Sequence, residues 1–385
     1  MNQKSATRVC SFCVMNESNS GILFDTAGQC NGCSDALARS PHEWWPGPEG
    51  RLRMDRMVER LRDSGRGKPY DVMIGLSGGI DSAYLAHLAV RELGLRVLAV
   101  HVDGGWNSEP AVRNIESLVR KLDIDLYTYV VEWKEMRDLQ VAFLRASVLN
   151  QDIPQDHVFF TTLYRTARKF RINDFLSGVN YATENISVPG SGFPYTDDVH
   201  LRGVHKRFGK IPLATYPVMP FIEFLWLTRL RKQLNVHRPL NYINYNKDEA
   251  VNVLSKGYSW RDYGAKHSES RFTKFYQDIF LPRKFGFDKR RLHLSCLIVS
   301  GQLTREQALE ELARPALLPE QVGRDVRFVA KKLGLTAGEL EDLIAAPAIE
   351  HTQYPNQMAL MGMLNRIKRL ARILTSRRTE DGAAG

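Results

Sequence analysis

Nowhere does the sequence approach the ~18 consecutive apolar residues that a membrane-crossing helix requires, and Met1 to Phe12 lacks the apolar segment of a secretory signal. A cytoplasmic protein without a membrane partner is therefore expected. No internal repeat is found. Cysteine is scarce, with five in 385 residues, and the odd count argues against a disulfide framework. With 43% hydrophobic, 25% charged and 10% aromatic residues, wholesale disorder, collagen and coiled-coil readings are excluded. At ~150 residues per domain the length corresponds to two or three units.

The 53 Lys and Arg against 43 Asp and Glu leave a net charge of +10, which favours a polyanionic partner such as nucleic acid, nucleotide or phosphorylated sugar without choosing among them. Four of the five cysteines form two pairs, Cys10/Cys13 and Cys30/Cys33, with sixteen residues between the pairs. Two-residue spacing lets both thiolates of a pair reach one tetrahedral ion, so a closed, structural Zn²⁺ site is expected. Cys296 stands alone in an apolar, helix-like neighbourhood and reads as a buried, inert thiol.

The spacing divides the chain into a Cys-paired module over residues 1–45, a strand–helix domain over 46–235, a mostly helical region over 236–375 and a frayed tail over 376–385. Up to Ser40 there are too few large apolar residues for an independent core, and Pro41 to Gly50 reads as a linker. Apolar runs at Asp71–Leu76, Arg96–Val102, Asp125–Val131 and Asp174–Gly178 have the texture of buried parallel strands, and Ile211–Phe221 suggests the last one. Helical periodicity from Ser82 and over Pro110–Leu122 separates them, which predicts an α/β fold with a doubly wound, mostly parallel sheet. Ser187–Pro212 reads as an ordered loop over a site, and Thr304 with Gln307 as a capping box opening Arg305–Leu312.

The most informative segment is Tyr70–Ser82, in which an apolar strand runs through Ser77-Gly78-Gly79-Ile80-Asp81-Ser82 into an amphipathic helix. Glycines that admit close backbone approach, two hydroxyls and a helix N-terminus converge on one spot, where a phosphate fits; the plainer alternative is a tight strand-to-helix turn. No Gly-Lys-Ser/Thr follows, so this is not a Walker A loop. It resembles the PP-loop of ATP pyrophosphatases, the superfamily of asparagine, NAD and GMP synthetases and several tRNA-modifying enzymes. The resemblance implies a loop that holds the β,γ-pyrophosphate of ATP while a substrate oxygen attacks the α-phosphate. At the next strand ends, Asp103 in His101–Gly105 implies the nucleoside seat, and Gly178, Asn180 and Glu184 are similar to the Gly-x-Asn…Glu stretch of NAD synthetases. Asp81 and Glu184 become candidates for Mg²⁺, with a helix-capping role for Asp81 and a solvated role for Glu184 as alternatives.

Residues 261–291 hold nine basic residues (Arg261, Lys266, Arg271, Lys274, Arg283, Lys284, Lys289, Arg290, Arg291) against four acidic ones, interleaved with Phe272, Phe275, Tyr276 and Phe285. This suits a nucleic-acid surface or a diphosphate-sugar pocket, or else a solvated helix face with an aromatic core stripe.

The order of the pieces carries the resemblance further. The paired CxxC, SGGIDS, LSGVNYATE (Leu176–Glu184), NYINYNKDEA (Asn241–Ala250), GAKHSESRFTKFYQ (Gly264–Gln277) and LPRKFGFDKRRLHLSCLIVSGQ (Leu281–Gln302) together resemble the N-acetyl sugar amidotransferases of bacterial surface-polysaccharide (lipopolysaccharide) biosynthesis, from Cys10 to about Leu312. That resemblance implies an ATP- and Mg²⁺-dependent conversion of an acetamido to an acetamidino group on a nucleotide-linked N-acetylated sugar, with AMP and pyrophosphate released. It also implies ammonia from separate subunits resembling the glutaminase and cyclase of imidazole glycerol phosphate synthase. The chain fits such dependence, since Cys296 lacks the setting of a nucleophile and residue 2 is Asn. Within KHSESR, Lys266 and Arg271 are assigned to phosphate charge and His267 and Glu269 to proton transfer. A tRNA-modifying PP-loop enzyme is the competing class, and a nucleotide-sensing zinc protein without turnover the third; nucleic acid is not the expected partner.

Overall fold

The computed structural model describes residues 8–18, 21–187, 193–227, 234–261, 269–364 and 366. Five parallel strands form one sheet in the order β3-β2-β1-β4-β5, with β1 Val72–Gly75, β2 Val97–Asp103, β3 Asp125–Val130, β4 Asp174–Leu176 and β5 Asn235–His237. β1 lies between β2 and β4, with Ile74 opposite Ala99 on one side and Leu176 on the other. Its carboxyl end is the topological switch point, where ligands of open α/β sheets collect. The doubly wound expectation holds. Val72, Met73, Ile74, Leu98, Ala99 and Val100 are buried, and helices cover the sheet, among them Ile80–His87, Glu109–Leu122 and Ile153–Phe170.

The last strand differs from expectation. Ile211–Phe221 forms no strand, because Pro212, Pro217 and Pro220 remove the N–H donors that a ladder needs. The segment instead wraps the helix Trp133–Ala146, where the buried carboxylate of Glu135 accepts from the N–H groups of Thr215 (3.0 Å) and Tyr216 (2.7 Å). The edge position goes to Asn235–His237, whose side chains donate to Asp174 of β4: Asn235 Nδ2 at 3.2 Å, with His237 Nε2 at 2.9 Å. Pro41–Gly50 is also less of a linker than its prolines suggest. The helix Asn31–Glu43 contains Pro41, and Pro48 opens the helix Pro48–Ser64, leaving Trp44–Gly47 between them. Within the expected Ser187–Pro212 loop lies the helix Asp198–Phe208, and residues 188–192 are outside the described residues.

Beyond Pro239 the described residues are mostly helical, as the pattern indicates, and the Thr304/Gln307 capping box opens Arg305–Ala313. The Cys-paired segment has no core of its own. Cys10, Cys13, Met15, Ile22, Cys30 and Cys33 share one apolar cluster with Phe272, Phe275, Phe280 and Val326 of the C-terminal helices. Cys296, 2% exposed, lies in the same cluster. The tail 376–385 lies outside the described residues.

Candidate active site at the carboxyl ends of the strands

The turn leaving β1 is held by its own hydroxyls. Ser77 Oγ accepts from the Gly79 N–H (3.1 Å) and lies 3.2 Å from Ser82 Oγ, which donates to the Gly79 carbonyl (2.9 Å). Gly78 adopts φ +90°, and a Cβ there would lie 2.9 Å from Ala111 Cβ, so both the conformation and the space require glycine. The helix Ile80–His87 starts immediately after Gly79 and aims its positive end into the turn. Gly178, at the end of β4, packs against that helix start, where an added Cβ would lie 3.3 Å from the Asp81 carbonyl carbon and the Ser82 nitrogen. Asn180 is spent on structure: buried, it caps the short helix Tyr181–Glu184 by accepting from the Thr183 N–H (3.0 Å), and its Nδ2 donates to the Gly178 carbonyl (3.0 Å).

A cavity of about 530 Å³ opens over this turn and is lined by Gly79, Asp81, Ser82, Gly178, Glu184 and Lys247, among others. Asp81 and Glu184, the two candidate Mg²⁺ ligands, thus face one space beside the loop, as a hard cation shared with phosphates requires. Asp81 Oδ1 accepts from the Tyr245 hydroxyl at 2.6 Å. Burial, and next the Asp81 charge, push the Tyr245 phenol far above its ordinary range, so it stays a neutral donor. Tyr245 and Lys247 both sit in the NYINYNKDEA string, yet neither was among the sequence candidates.

At the end of β2, Asp103 serves the local turn, accepting from the Gly105 N–H (2.8 Å) and Asn107 Nδ2 (3.2 Å). His101 Nδ1 lies 2.7 Å from the Leu76 carbonyl, so it carries the proton, and Nε2 is left to accept from Asn107 Nδ2 at 2.9 Å. The C-terminal region joins the sheet at this loop. Ser108 N–H donates to the Glu269 carbonyl and Arg271 N–H to the Trp106 carbonyl, both at 2.8 Å. This pairing brings the Glu269 carboxylate to the loop, with Oε1 only 3.3 Å from where a Cβ on Gly79 would stand.

Arg271 points elsewhere. Its guanidinium bonds Asp325 (3.1 Å) and lies 4.2 Å over the Phe328 ring. Lys266 and His267 lie outside the described residues. Of the other basic residues in this stretch, Lys274 pairs with Asp325, Arg283 with Glu341 and Arg290 with Asp288, while Lys284 donates to the Leu343 carbonyl and Arg291 to that of Val14. The charge run is therefore largely a set of internal ties, and Phe272, Phe275 and Tyr276 are core.

A second cavity, of about 470 Å³, lies on the β2 side and is lined by His101, Asn107, Asp152, Gln155, Gln277 and Lys289, among others. Ser77, Asp156, Phe159 and Glu269 line both cavities and mark their junction. Asp156 is exposed to the cleft. Desolvation by the cleft walls, and next the charge of Asp152, push its carboxyl upward, with Lys289 opposing. No hydrogen bond from a described residue reaches its carboxylate. The sequence carried no signal for Asp156, one acid in the first turn of a helix.

The four paired cysteines converge away from these cavities. Their sulfur atoms all lie within 4.8 Å of one another, with every side chain buried and no disulfide formed. Three N–H groups, from Phe12, Cys13 and Cys30, point at Cys10 Sγ at 3.2–3.4 Å. Four buried, converging cysteines with N–H···S donors fit a closed tetrahedral ion such as Zn²⁺, which would bind them as thiolates.

A parallel sheet with SGGIDS at its switch point and two carboxylates over the loop defines a PP-loop protein of the ATP-using, ligase-type class. Two family models agree: residues 54–170 match NAD synthase, and residues 269–370 match the LPS biosynthesis protein WbpG-like, C-terminal domain. The chain joins a PP-loop domain of the NAD synthase kind to a WbpG-like C-terminal domain. It is 36% identical over 90 residues to a glutamine-hydrolysing GMP synthase from Pyrobaculum aerophilum, a match covering 23% of this chain and 17% of that protein's length. Among solved structures, NMN synthetase from Francisella tularensis matches at 18% identity over 57% of this chain and 98% of its own, with a TM-score of 0.27. The U34-tRNA thiolase NcsA from Methanococcus maripaludis, solved with its 4Fe–4S cluster, matches at 16% identity over 80% and 89%, with a TM-score of 0.33.

Proposed function

We propose that the protein is an AMP-forming amidotransferase that converts the acetamido group of a nucleotide-linked N-acetylated sugar into an acetamidino group during surface-polysaccharide biosynthesis. One observation carries the reading: the WbpG-like C-terminal segment sets the Glu269 carboxylate against Gly79 of the loop. In this reading Glu269, the first residue of that segment, would stand beside the phosphates of ATP. Ser77, Gly78, Gly79 and Ser82 hold the pyrophosphate, Asp81 and Glu184 hold Mg²⁺, and Asp103, Gly178 and Asn180 shape the walls through their backbone ties. An amide oxygen is a poor leaving group. Adenylation makes it leave as AMP, and electrostatic stabilisation of the pentavalent phosphorus is what the loop, the helix end and the cation supply. The Cys₄ site holds Zn²⁺ as a structural ion. Ammonia comes from a separate glutaminase and cyclase-like pair.

The test is nitrogen use. With ATP, Mg²⁺ and a UDP-linked N-acetylated sugar, the isolated chain should form the amidine with ammonium but not with glutamine, with AMP and pyrophosphate as coproducts. No ammonium-dependent product on any such sugar, together with tight tRNA binding at physiological salt, would move the chain to the tRNA-modifying class.

A further inference from the structure

Asp156 stands at the one place where the two cavities meet, and neither the PP-loop nor the Mg²⁺ site uses it. It projects from the first turn of Ile153–Phe170, a helix packed under the sheet, so its position is set by rigid structure. Its neighbours across the junction are Ser77 and Glu269, and Asp152 and Lys289 flank it. Glu269 is drawn to the side of Gly79, where pyrophosphate departs. Asp156 faces both cavities beside the turn that leaves β1, with Asp152 further into the second one.

Resting on the amidotransferase reading, we propose that the junction receives an ammonium ion and that Asp156 takes the proton that frees its lone pair. The cation is a fitting ligand there, because the carboxylates of Asp152, Asp156 and Glu269 line the same cavity and outnumber Lys289. The step balances as follows. The amide oxygen bonds to the α-phosphorus and pyrophosphate leaves with the P–O electrons. Ammonium gives one proton to the Asp156 carboxylate, and the nitrogen lone pair forms the new C–N bond. The C–O bond then breaks with its electrons going to AMP, which carries away a second proton, and two hydrogens stay on the amidine nitrogen. Asp156 returns its proton to solvent.

The experiment separates adenylation from nitrogen transfer in the full chain. Sugar-dependent exchange of labelled pyrophosphate into ATP reports the first, and amidine formation from ammonium the second. Asp156→Asn should keep exchange within about threefold of wild type while amidine formation falls by about 10²-fold, the scale of lost general-base catalysis. Hydroxylamine, a nucleophile that is unprotonated at neutral pH, should restore much of the lost rate. Asp156→Glu should retain more amidine formation than Asp156→Asn. Full amidine formation by Asp156→Asn, or an equal loss of exchange and transfer, would overturn the proposal, the latter because it would mark a substrate-holding residue. Absence of sugar-dependent exchange in the wild type would instead defeat the amidotransferase reading, and the proton role with it.

Discussion

At Gly78 the backbone conformation costs a side-chain-bearing residue about 1–3 kcal/mol, before any clash with Ala111 Cβ at 2.9 Å is counted. Gly78→Ala should therefore lower turnover by about 10²-fold, by displacing the loop's donors from the phosphate, with a smaller drop in thermal midpoint. Wild-type turnover by this variant would show that the turn is only a turn. Asp81 is a sharper probe, since its carboxylate is oriented by the neutral Tyr245 hydroxyl at 2.6 Å. Asp81→Asn and Glu184→Gln should each cost about 10²-fold in kcat/KM for ATP, partly relieved by excess Mg²⁺. Tyr245→Phe should mainly raise the Mg²⁺ concentration needed for half-maximal rate. A Tyr245→Phe enzyme with unchanged Mg²⁺ dependence would mean that Asp81 does not hold the ion. The loop was legible in the sequence because SGGIDS after an apolar strand has a narrow chemical meaning. Tyr245 and Asp156 were not, since their roles depend on which distant residues they meet.

Among the elements, the Cys-paired segment and the C-terminal helices form a single body. Arg305 donates to the carbonyls of Cys13 and Cys10, both at 3.1 Å, and Arg291 to that of Val14 at 2.8 Å. Removing the ion with a chelator should accordingly loosen residues 8–33 together with Arg290–Val299 and Arg305–Ala313, while the five-stranded sheet stays protected in hydrogen exchange. Loss of sheet protection at the same chelator concentration would contradict this division. Iron–sulfur absorbance in anaerobically purified protein would contradict the zinc assignment itself. Whereas β3, read as a buried strand, is a half-exposed edge strand with Val130 67% exposed, β1, β2 and β4 were readable because a buried parallel strand is a continuous apolar run, as in Val97–Val100. β5 was not, because three residues carrying Asn and His at an edge have no such run, and their pairing rests on Asp174 of the neighbouring strand. Ile211–Phe221 has the right apolarity, but its prolines forbid the ladder.

For the whole molecule, the net charge of +10 invites a nucleic-acid reading, while the basic run at 271–291 is largely engaged within the protein. Arg271, Lys274, Arg283 and Arg290 are paired with acids, and Lys284 and Arg291 are spent on carbonyls. RNA binding should accordingly be weak at physiological salt. What the molecule concentrates at the switch point is the SGGIDS turn, the carboxylates of Asp81 and Glu184 and, at Glu269, the start of the WbpG-like segment. The claim common to all of this is that the acetamido oxygen itself attacks the α-phosphate. It is tested most directly by labelling that carbonyl oxygen with ¹⁸O and following it through one turnover with ATP, Mg²⁺ and ammonium. Adenylation predicts that the label leaves in the phosphate of AMP, with unlabelled pyrophosphate alongside. Label in inorganic phosphate with ADP as the nucleotide product, or label lost to water, would contradict it.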